Sequence, residues 1–414
     1  MTVNPRLKPA TTDATPGDSV DGHDGGPSTR TLRILFCTLD YFPTAEAGGA
    51  ERQARTQARE LSRRGHYVRV VCGRAQGTRS GAVDSICVDR LWRRRGGRRG
   101  EQVLYGLRLI PYLLRHGREF DLAHVHLANF QADVAVAVFS FLGRPTYVKV
   151  ASGGVGGEVA KTRKRAKLTR WYGLRHASCV QALSSEIRDE LMDVGVDERR
   201  IVRLPNGIDL TTFRPGHLEE RSAARRALSL PVEGILVLYA GRFSNEKGTR
   251  DLLEAWQSIE PRKATLVMVG NPAHGWTAVL PADDPSLLVR SWTSDVLDYY
   301  LAADIVVHPA LSDGMSNSLL EAMAAGLAPV VTALPSVDGL VEDGQSGLLF
   351  PPASSGALAK ALSRVISETE LRRRLAQGAI TSARRFDIVK VVDQLENAYF
   401  GISGIPRAGT ACQW

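Results

Sequence analysis

In GRFSNEKG (241–248) an arginine and a lysine five positions apart follow an apolar run that reads as a buried strand. Arg242 and Lys247 at the mouth of such a strand are suited to stabilising charge that builds on a diphosphate as a bond to it breaks. An isolated pair with this spacing is also compatible with a solvated basic loop ahead of the helical pattern TRDLLEAWQSI. A second constellation is SDGMSNSLLEAMAAG (312–326). Its helix is expected to begin near Asn317 or Ser318 and to end at Gly326. Gly314, Met315, Ser316 and Asn317 would then present free backbone N–H groups at a helix N-terminus, where sugar hydroxyls and phosphate oxygens are readily bound. Glu321, four residues after Asn317, shares its face. Asp313 sets a carboxylate just ahead, able to bond a ligand, to cap the helix or to steady the turn at Gly314.

Three further places have chemical reach. DLAHVHL (121–127) carries His124 and His126 two residues apart on a strand-like run, so both point to one face. A strand histidine is ordinarily a core or rim residue, but His126 at the carboxyl end is placed for a cleft. Gly48 and Gly49 lie between a first strand and its helix, where missing side chains let backbone approach a phosphate or simply make a tight turn. ASGGVGGEV (151–159) packs four glycines in five positions after a strand, and a loop so permissive is expected to move.

The elements that position these residues follow from pattern and length. A chain of 414 residues exceeds one compact core, and 43% hydrophobic content excludes wholesale disorder. No apolar run reaches about 18 residues, so no transmembrane span is expected. The polar start, residues 1–30, lacks an apolar h-region and reads as a disordered tail rather than a secretory signal. LRILFCTL (32–39), a helical segment stopped by Gly65 and HYVRVVCG form a βαβ unit, and strand-like runs recur at 121–127 and 144–152. Around RLPNGIDLTTFRPG (203–216) prolines and Asn-Gly interrupt the pattern, which restarts at GILVLYAGR (234–242) and continues through 264–270, 303–309 and 328–333. The expected architecture is α/β, with two Rossmann-like domains, 31–210 and 211–385, whose parallel sheets face a central cleft. A helix over 386–400 and a tail at 401–414 complete the chain. Five cysteines without ligand spacing argue against a zinc site or a disulfide framework and fit a reducing cytoplasm.

GRFSNEKG, HPALSDGMSNSLLEAMAAG (308–326) and VEDGQSGLLFPP (341–352), preceded by LPNGIDLTTFRP and AGGAERQ, resemble the signature of retaining glycosyltransferases of family four, which have the GT-B fold. The resemblance spans about residues 32 to 400. It implies an enzyme that moves a sugar from a nucleotide diphosphate donor to an acceptor hydroxyl, in cell-surface glycan, glycolipid or secondary-metabolite synthesis. The first domain would bind the acceptor and the second the donor, and residues 386–400 would cross back to the first domain. Carried over by motif, Arg242 and Lys247 stabilise the leaving diphosphate, and Glu321 bonds the ribose hydroxyls. Asp313 contacts the donor sugar, as His126 does from the other side. Gly48, Gly49, Gly314, Met315, Ser316 and Asn317 line the donor, and Ser152 and Gly153 lie on the acceptor side. The family pattern has Glu where this chain has Asp313, one methylene shorter, which alters its reach. Two other outcomes of the same fold are a nucleotide-sugar epimerase and a non-catalytic sugar-nucleotide-binding protein. No metal or other cofactor is expected, because the cations and helix-terminal N–H groups supply the counter-charge.

Charge separates the halves. Residues 1–210 hold 34 Lys and Arg against 22 Asp and Glu, or +12, whereas 211–414 hold 19 against 22, or −3. Two basic runs, RLWRRRGGRRG (90–100) and KTRKRAKLTR (161–170), suggest an anionic lipid-linked acceptor or an anionic membrane surface, and are equally compatible with plain solubility. A cytoplasmic protein at the inner face of the cell membrane would satisfy the first reading. Nucleic acid is disfavoured because no base-stacking aromatic array accompanies the arginines, and the absence of G-x-G-x-x-G disfavours a nicotinamide-dependent dehydrogenase. The donor base is expected near the loop after ATLVMVG and near Trp292, which could stack on it or fill the interdomain surface.

Overall fold

The computed structural model describes residues 30–43, 48–74, 78–92, 98–154, 157–162, 171–259, 264–273, 284–293 and 296–405. Both expected tails fall largely outside this set, as do most residues of the two basic runs.

The first sheet contains β1 (Arg33–Cys37), β2 (Tyr67–Arg74), β3 (Gly81–Val83), β4 (Ile86–Trp92), β5 (Leu122–His126), β6 (Thr146–Val150), β7 (Cys179–Ala182) and β8 (Ile201–Arg203). Their order is β3-β4-β2-β1-β5-β6-β7-β8, parallel throughout except for β3 on β4. Short Val/Ile/Leu-rich runs such as RILFC suit central parallel strands, which helices and connections cover on both faces. Register then sets a row of polar residues across the middle of the sheet, with His126 opposite Lys149 and Lys149 opposite Gln181. All three are buried.

The second sheet contains β9 (Ile235–Ala240), β10 (Ala264–Val269), β11 (Leu287–Arg290), β12 (Ile305–His308), β13 (Ala328–Thr332) and β14 (Leu348–Phe350). It is wholly parallel in the order β11-β10-β9-β12-β13-β14. Trp256, Leu266, Val307 and Leu362 are central to the core on one of its faces.

The helix Ile388–Ser403 returns to the first sheet, where Leu395, Tyr399 and Phe400 join Leu32, Ile34 and Phe36 in one buried cluster. Polar contacts hold it there. Arg64 reaches Asp393 at 2.6 Å and Glu396 at 3.0 Å. His66 Nδ1 accepts the Leu32 N–H at 3.0 Å, so Nε2 carries the ring proton and donates to Glu396 at 2.9 Å. Among the described residues no helix is long and apolar enough to cross a membrane.

Candidate active site

The second domain supplies one wall. Beyond β9 the chain turns through Gly241 and Arg242 into a short turn, Asn245–Lys247, capped by Ser244. Gly248 follows with φ of 64°, and a Cβ there would lie 1.8 Å from the Pro309 carbonyl oxygen, so only glycine lets this loop lie on the end of β12. That contact sets Lys247 beside the β12 loop, with Nζ 2.9 Å from Asp313 Oδ2. His308, the last residue of β12, brings Nε2 within 3.1 Å of the same oxygen. Burial opposes ionisation of Asp313, yet Lys247 and His308 hold its carboxyl well below the usual carboxylate range. Arg242 is exposed, and its side chain makes no hydrogen bond or ion pair among the described residues. The wall therefore carries one cation already neutralised and one available.

The helix after Asp313 spans Asn317–Ala324, with Ser316 as its N-cap accepting the Leu319 N–H at 3.3 Å. The backbone N–H groups of Gly314 to Asn317 bond to no described residue, as the sequence leads one to expect of a helix entry. Glu321 is buried with Tyr300 Oη donating to Oε2 at 2.9 Å and Arg52 Nη1 at 3.5 Å from the same oxygen. Desolvation raises its pKa, against the pull of Arg52 and Tyr300. The side chains of Met315 and Asn317 point away from the helix entry's free N–H groups, toward the first domain and its linker. Met315 Sδ accepts the Asn206 N–H at 3.2 Å, and among the described residues the Asn317 amide bonds to Gly49, Gln53 and Asn206. Both side chains are committed to the first domain and its linker, so a ligand at this helix entry meets backbone there rather than these groups.

The first domain supplies the opposite wall. Gly48 precedes the helix Gly49–Arg63, and its N–H donates to Glu51 Oε2 at 2.9 Å. A Cβ on Gly314 would stand 1.9 Å from the Ala151 carbonyl oxygen, which makes the loop after β6 the place where the two walls meet backbone to backbone. Ser152 lies beside that contact, with Oγ 3.5 Å from Glu158 Oε1. The glycine-rich loop is tied down rather than free at its described residues. Glu158 accepts the N–H groups of Ala128 and Ala151 at 2.5 and 2.9 Å, and Glu190 accepts that of Gly154 at 2.7 Å. Gly153 is buried against Ile187, where a Cβ would come within 2.8 Å. The missing side chains at Gly153 and Gly157 serve close packing here.

His126 departs most from its expected place in the cleft. It is fully buried, its ring stacked on His124 with centroids 4.0 Å apart, and neither ring nitrogen has a partner among the described residues. Burial and the adjacent Lys149 push its pKa well below the ordinary value, so the ring is neutral. Sequence spacing found the shared face of the two histidines but not the linker segment and C-terminal helix that bury it. Lys149, Asn206, Gln53, Arg52, Tyr300 and His308 are given no role by sequence reasoning, although Arg52, Gln53, Asn206 and His308 lie inside the motifs AGGAERQ, LPNGIDLTTFRP and HPALSDGMSNSLLEAMAAG. A lone lysine within the apolar strand TYVKV is a further signal. Arg90, the first residue of a basic run, turns inward and donates to the carbonyls of Tyr41 and Arg79, both at 3.0 Å, and of Phe42. Trp292 lies beside the β10 loop, its backbone N–H donating to Asn271 Oδ1 at 3.2 Å.

Two parallel α/β sheets meeting through the loops at their strand ends, with cations and a helix entry on one wall, define a GT-B architecture. Comparisons with known proteins agree. Residues 47–212 match Glycosyltransferase Family 4 and residues 220–382 match Glycosyl transferases group 1. Over 291 residues the chain is 29% identical to a putative teichuronic acid biosynthesis glycosyltransferase, TuaC, of Bacillus subtilis, covering 67% of this chain and 70% of that protein. It is 31% identical over 224 residues to a D-inositol 3-phosphate glycosyltransferase of Xylanimonas cellulosilytica, 50% of this chain and 53% of that one. Thus it spans only about half the length of that inositol phosphate relative. The crystal structure of Anabaena Alr3699/HepE in complex with UDP and glucose superposes with a TM-score of 0.73 at 20% identity, covering 89% of this chain and all of that one. The chain belongs to glycosyltransferase family four.

Proposed function

We propose that the protein is a retaining glycosyltransferase that moves a sugar from a nucleoside diphosphate donor to an acceptor hydroxyl without a metal. The observation that carries this reading is the grouping of Lys247 and the unbonded N–H groups of Gly314 to Asn317 beside Asp313, facing the Ala151–Ser152 loop, with exposed Arg242 in the same loop after β9 as Lys247. The HepE structure holds UDP and glucose, which supports a nucleotide-sugar donor. The names of the relatives support an acceptor that is a teichuronic-acid-like glycan or a small phosphorylated polyol such as inositol phosphate.

In this scheme the anomeric carbon–oxygen bond to the diphosphate breaks as the acceptor oxygen bonds to the same face of that carbon. The leaving diphosphate takes the acceptor's proton, so no protein base is consumed. Arg242 and Lys247 meet the charge gathering on the diphosphate, where it is worth most. Lys247 must exchange Asp313 for phosphate to do so, and His308 stays beside the carboxylate. Asp313 orients the sugar, and Glu321 holds the ribose hydroxyls. Incubating the purified protein with UDP-, GDP- and ADP-sugars, with product anomers read by NMR, tests the reading. Donor consumption with retained configuration supports it. Epimerised donor, inverted product, or tight binding with no turnover on any acceptor refutes it.

An anionic membrane is the proposed site of work. On the helix Arg98–His116 the exposed residues Val103, Leu107, Pro111 and Leu114 form a stripe, and Phe141 on the neighbouring helix is 79% exposed. Arg108 and Arg115 are also exposed on this helix, a composition that fits an acidic lipid surface. Binding to phosphatidylglycerol vesicles should exceed binding to neutral ones and fall as salt screens the charge over about 8 Å at physiological strength. Equal, low sedimentation with both lipids across a salt series overturns it.

A further inference from the structure

The donor-side helix is held from across the cleft by its own first residue. Asn317 Nδ2 donates to the Gly49 carbonyl at 2.7 Å, and its Oδ1 accepts from Asn206 at 2.9 Å and from Gln53 at 3.1 Å. Asn206 is itself fixed, because its Oδ1 accepts from Lys149 Nζ at 2.7 Å and its amide also donates to the Met315 carbonyl at 3.1 Å. Gln53 is fixed by a reciprocal pair with the linker, donating to the Gly207 carbonyl at 2.8 Å and accepting its N–H at 3.1 Å. Gln53, Asn206 and Lys149 are all buried, so their bonds are made out of water, where losing a partner is most costly. The fit leaves no slack. A Cβ on Gly49 would lie 2.9 Å from Asn317 Nδ2, and one on Gly314 would lie 1.9 Å from the Ala151 oxygen.

We propose that Gln53, Asn206 and Asn317 form an interdomain clasp that sets the closed cleft and positions the donor-binding helix entry from the first domain. The Asn317 side chain is then a positioning group, and only its backbone N–H faces the donor. The linker turn Asn206–Gly207 is its pivot, since one asparagine there joins the first sheet through Lys149 to the second domain through Met315 and Asn317. The clasp explains why these polar groups are buried at the seam, where apolar packing would hold the domains without fixing their angle. The part concerning the donor rests on the glycosyltransferase reading above, and the part concerning closure does not.

Small-angle scattering of the full chain without ligand tests closure directly. Asn317→Asp keeps the shape but turns the donor facing the Gly49 carbonyl into an acceptor, and Gly314→Ala inserts a methyl where the walls touch. Both variants should keep the wild-type circular dichroism and show a larger radius of gyration, while wild type scatters as the closed form. Asn206→Asp is the third arm, because it retains the Lys149 contact and loses both donations to the second domain. UDP affinity by calorimetry should fall about tenfold or more in each, the equivalent of about 1.4 kcal/mol. Folded variants whose scattering superposes on wild type overturn the clasp, as does a wild type that is open in solution. An open variant with no turnover of any donor, in a wild type equally inactive, would overturn the enzyme reading and leave the clasp standing.

Discussion

Replacing Lys149 with methionine is expected to stabilise the first domain near neutral pH and to lose that advantage as the pH rises. Lys149 is 1% exposed at the centre of the sheet, with Asn206 Oδ1 as the hydrogen-bond partner of its ammonium at 2.7 Å. Burial pulls its pKa from 10.5 down to about 7, and the Glu158 carboxylate opposes the fall. Between those two values the unfolded chain keeps a proton that the folded chain has released, so folding becomes more favourable as pH rises through that window. The slope from this group is up to about 1.4 kcal/mol per pH unit, which leaves a penalty of about 4 kcal/mol at pH 7. Methionine removes the penalty and leaves Asn206 Oδ1 without its donor, at a cost of about 2 kcal/mol. The net gain of about 2 kcal/mol at pH 7 should shrink to nothing near pH 9. Scanning calorimetry of both proteins at several pH values reads this as an advantage of about 5 °C at pH 7 that disappears near pH 9. A difference in midpoint that stays constant from pH 7 to 9.5, or a variant less stable than wild type at pH 7, would show that the buried amine carries no such strain.

Arg242→Ala and Lys247→Ala should each lower turnover by about 100-fold or more, with melting unchanged for Arg242→Ala and lowered for Lys247→Ala, which strips the buried Asp313 carboxylate of its lysine partner. Steady-state rates near wild type in both would remove them from the site. Glu321→Ala should weaken binding of the bare nucleoside diphosphate more than it slows turnover, and an unchanged dissociation constant by calorimetry contradicts that role. Gly248→Ala should destabilise by at least about 2 kcal/mol and displace Lys247, because it combines left-handed backbone with a carbonyl 1.8 Å from the new methyl. A wild-type melt would refute it. Arg90→Lys should cost about 1 to 3 kcal/mol by losing the fork that binds several carbonyls at once, measured by the same melts.

Much of the architecture was legible because continuous apolar runs are hard to use in any way other than as buried strands. LRILFCTL, ATLVMVG and ADIVVHP became β1, β10 and β12, and the helix after Ser316 began where its capping residues said it would. The short strands β7 and β8 were not legible. CVQA and IVR carry too few positions for a period to show, and they are strands because β6 and β7 already offer an edge to pair with.

The site divides along the same line. Residue types and order along the chain marked Arg242, Lys247, Asp313 and Glu321, because a fixed cation at a strand end and a carboxylate on a helix have few neutral uses together. Local pattern also supplied the free N–H groups of Gly314 to Asn317, which follow from helix geometry alone. What faces what was decided only by the fold. That Asn317 spends its amide on Gly49 and that Lys149 lies beneath the linker depend on pairs more than 50 residues apart, set by sheet register and the linker's path. Sequence periodicity reports which side of an element a residue lies on, and hydrogen-bond partners across a cleft are fixed only when the two halves pack.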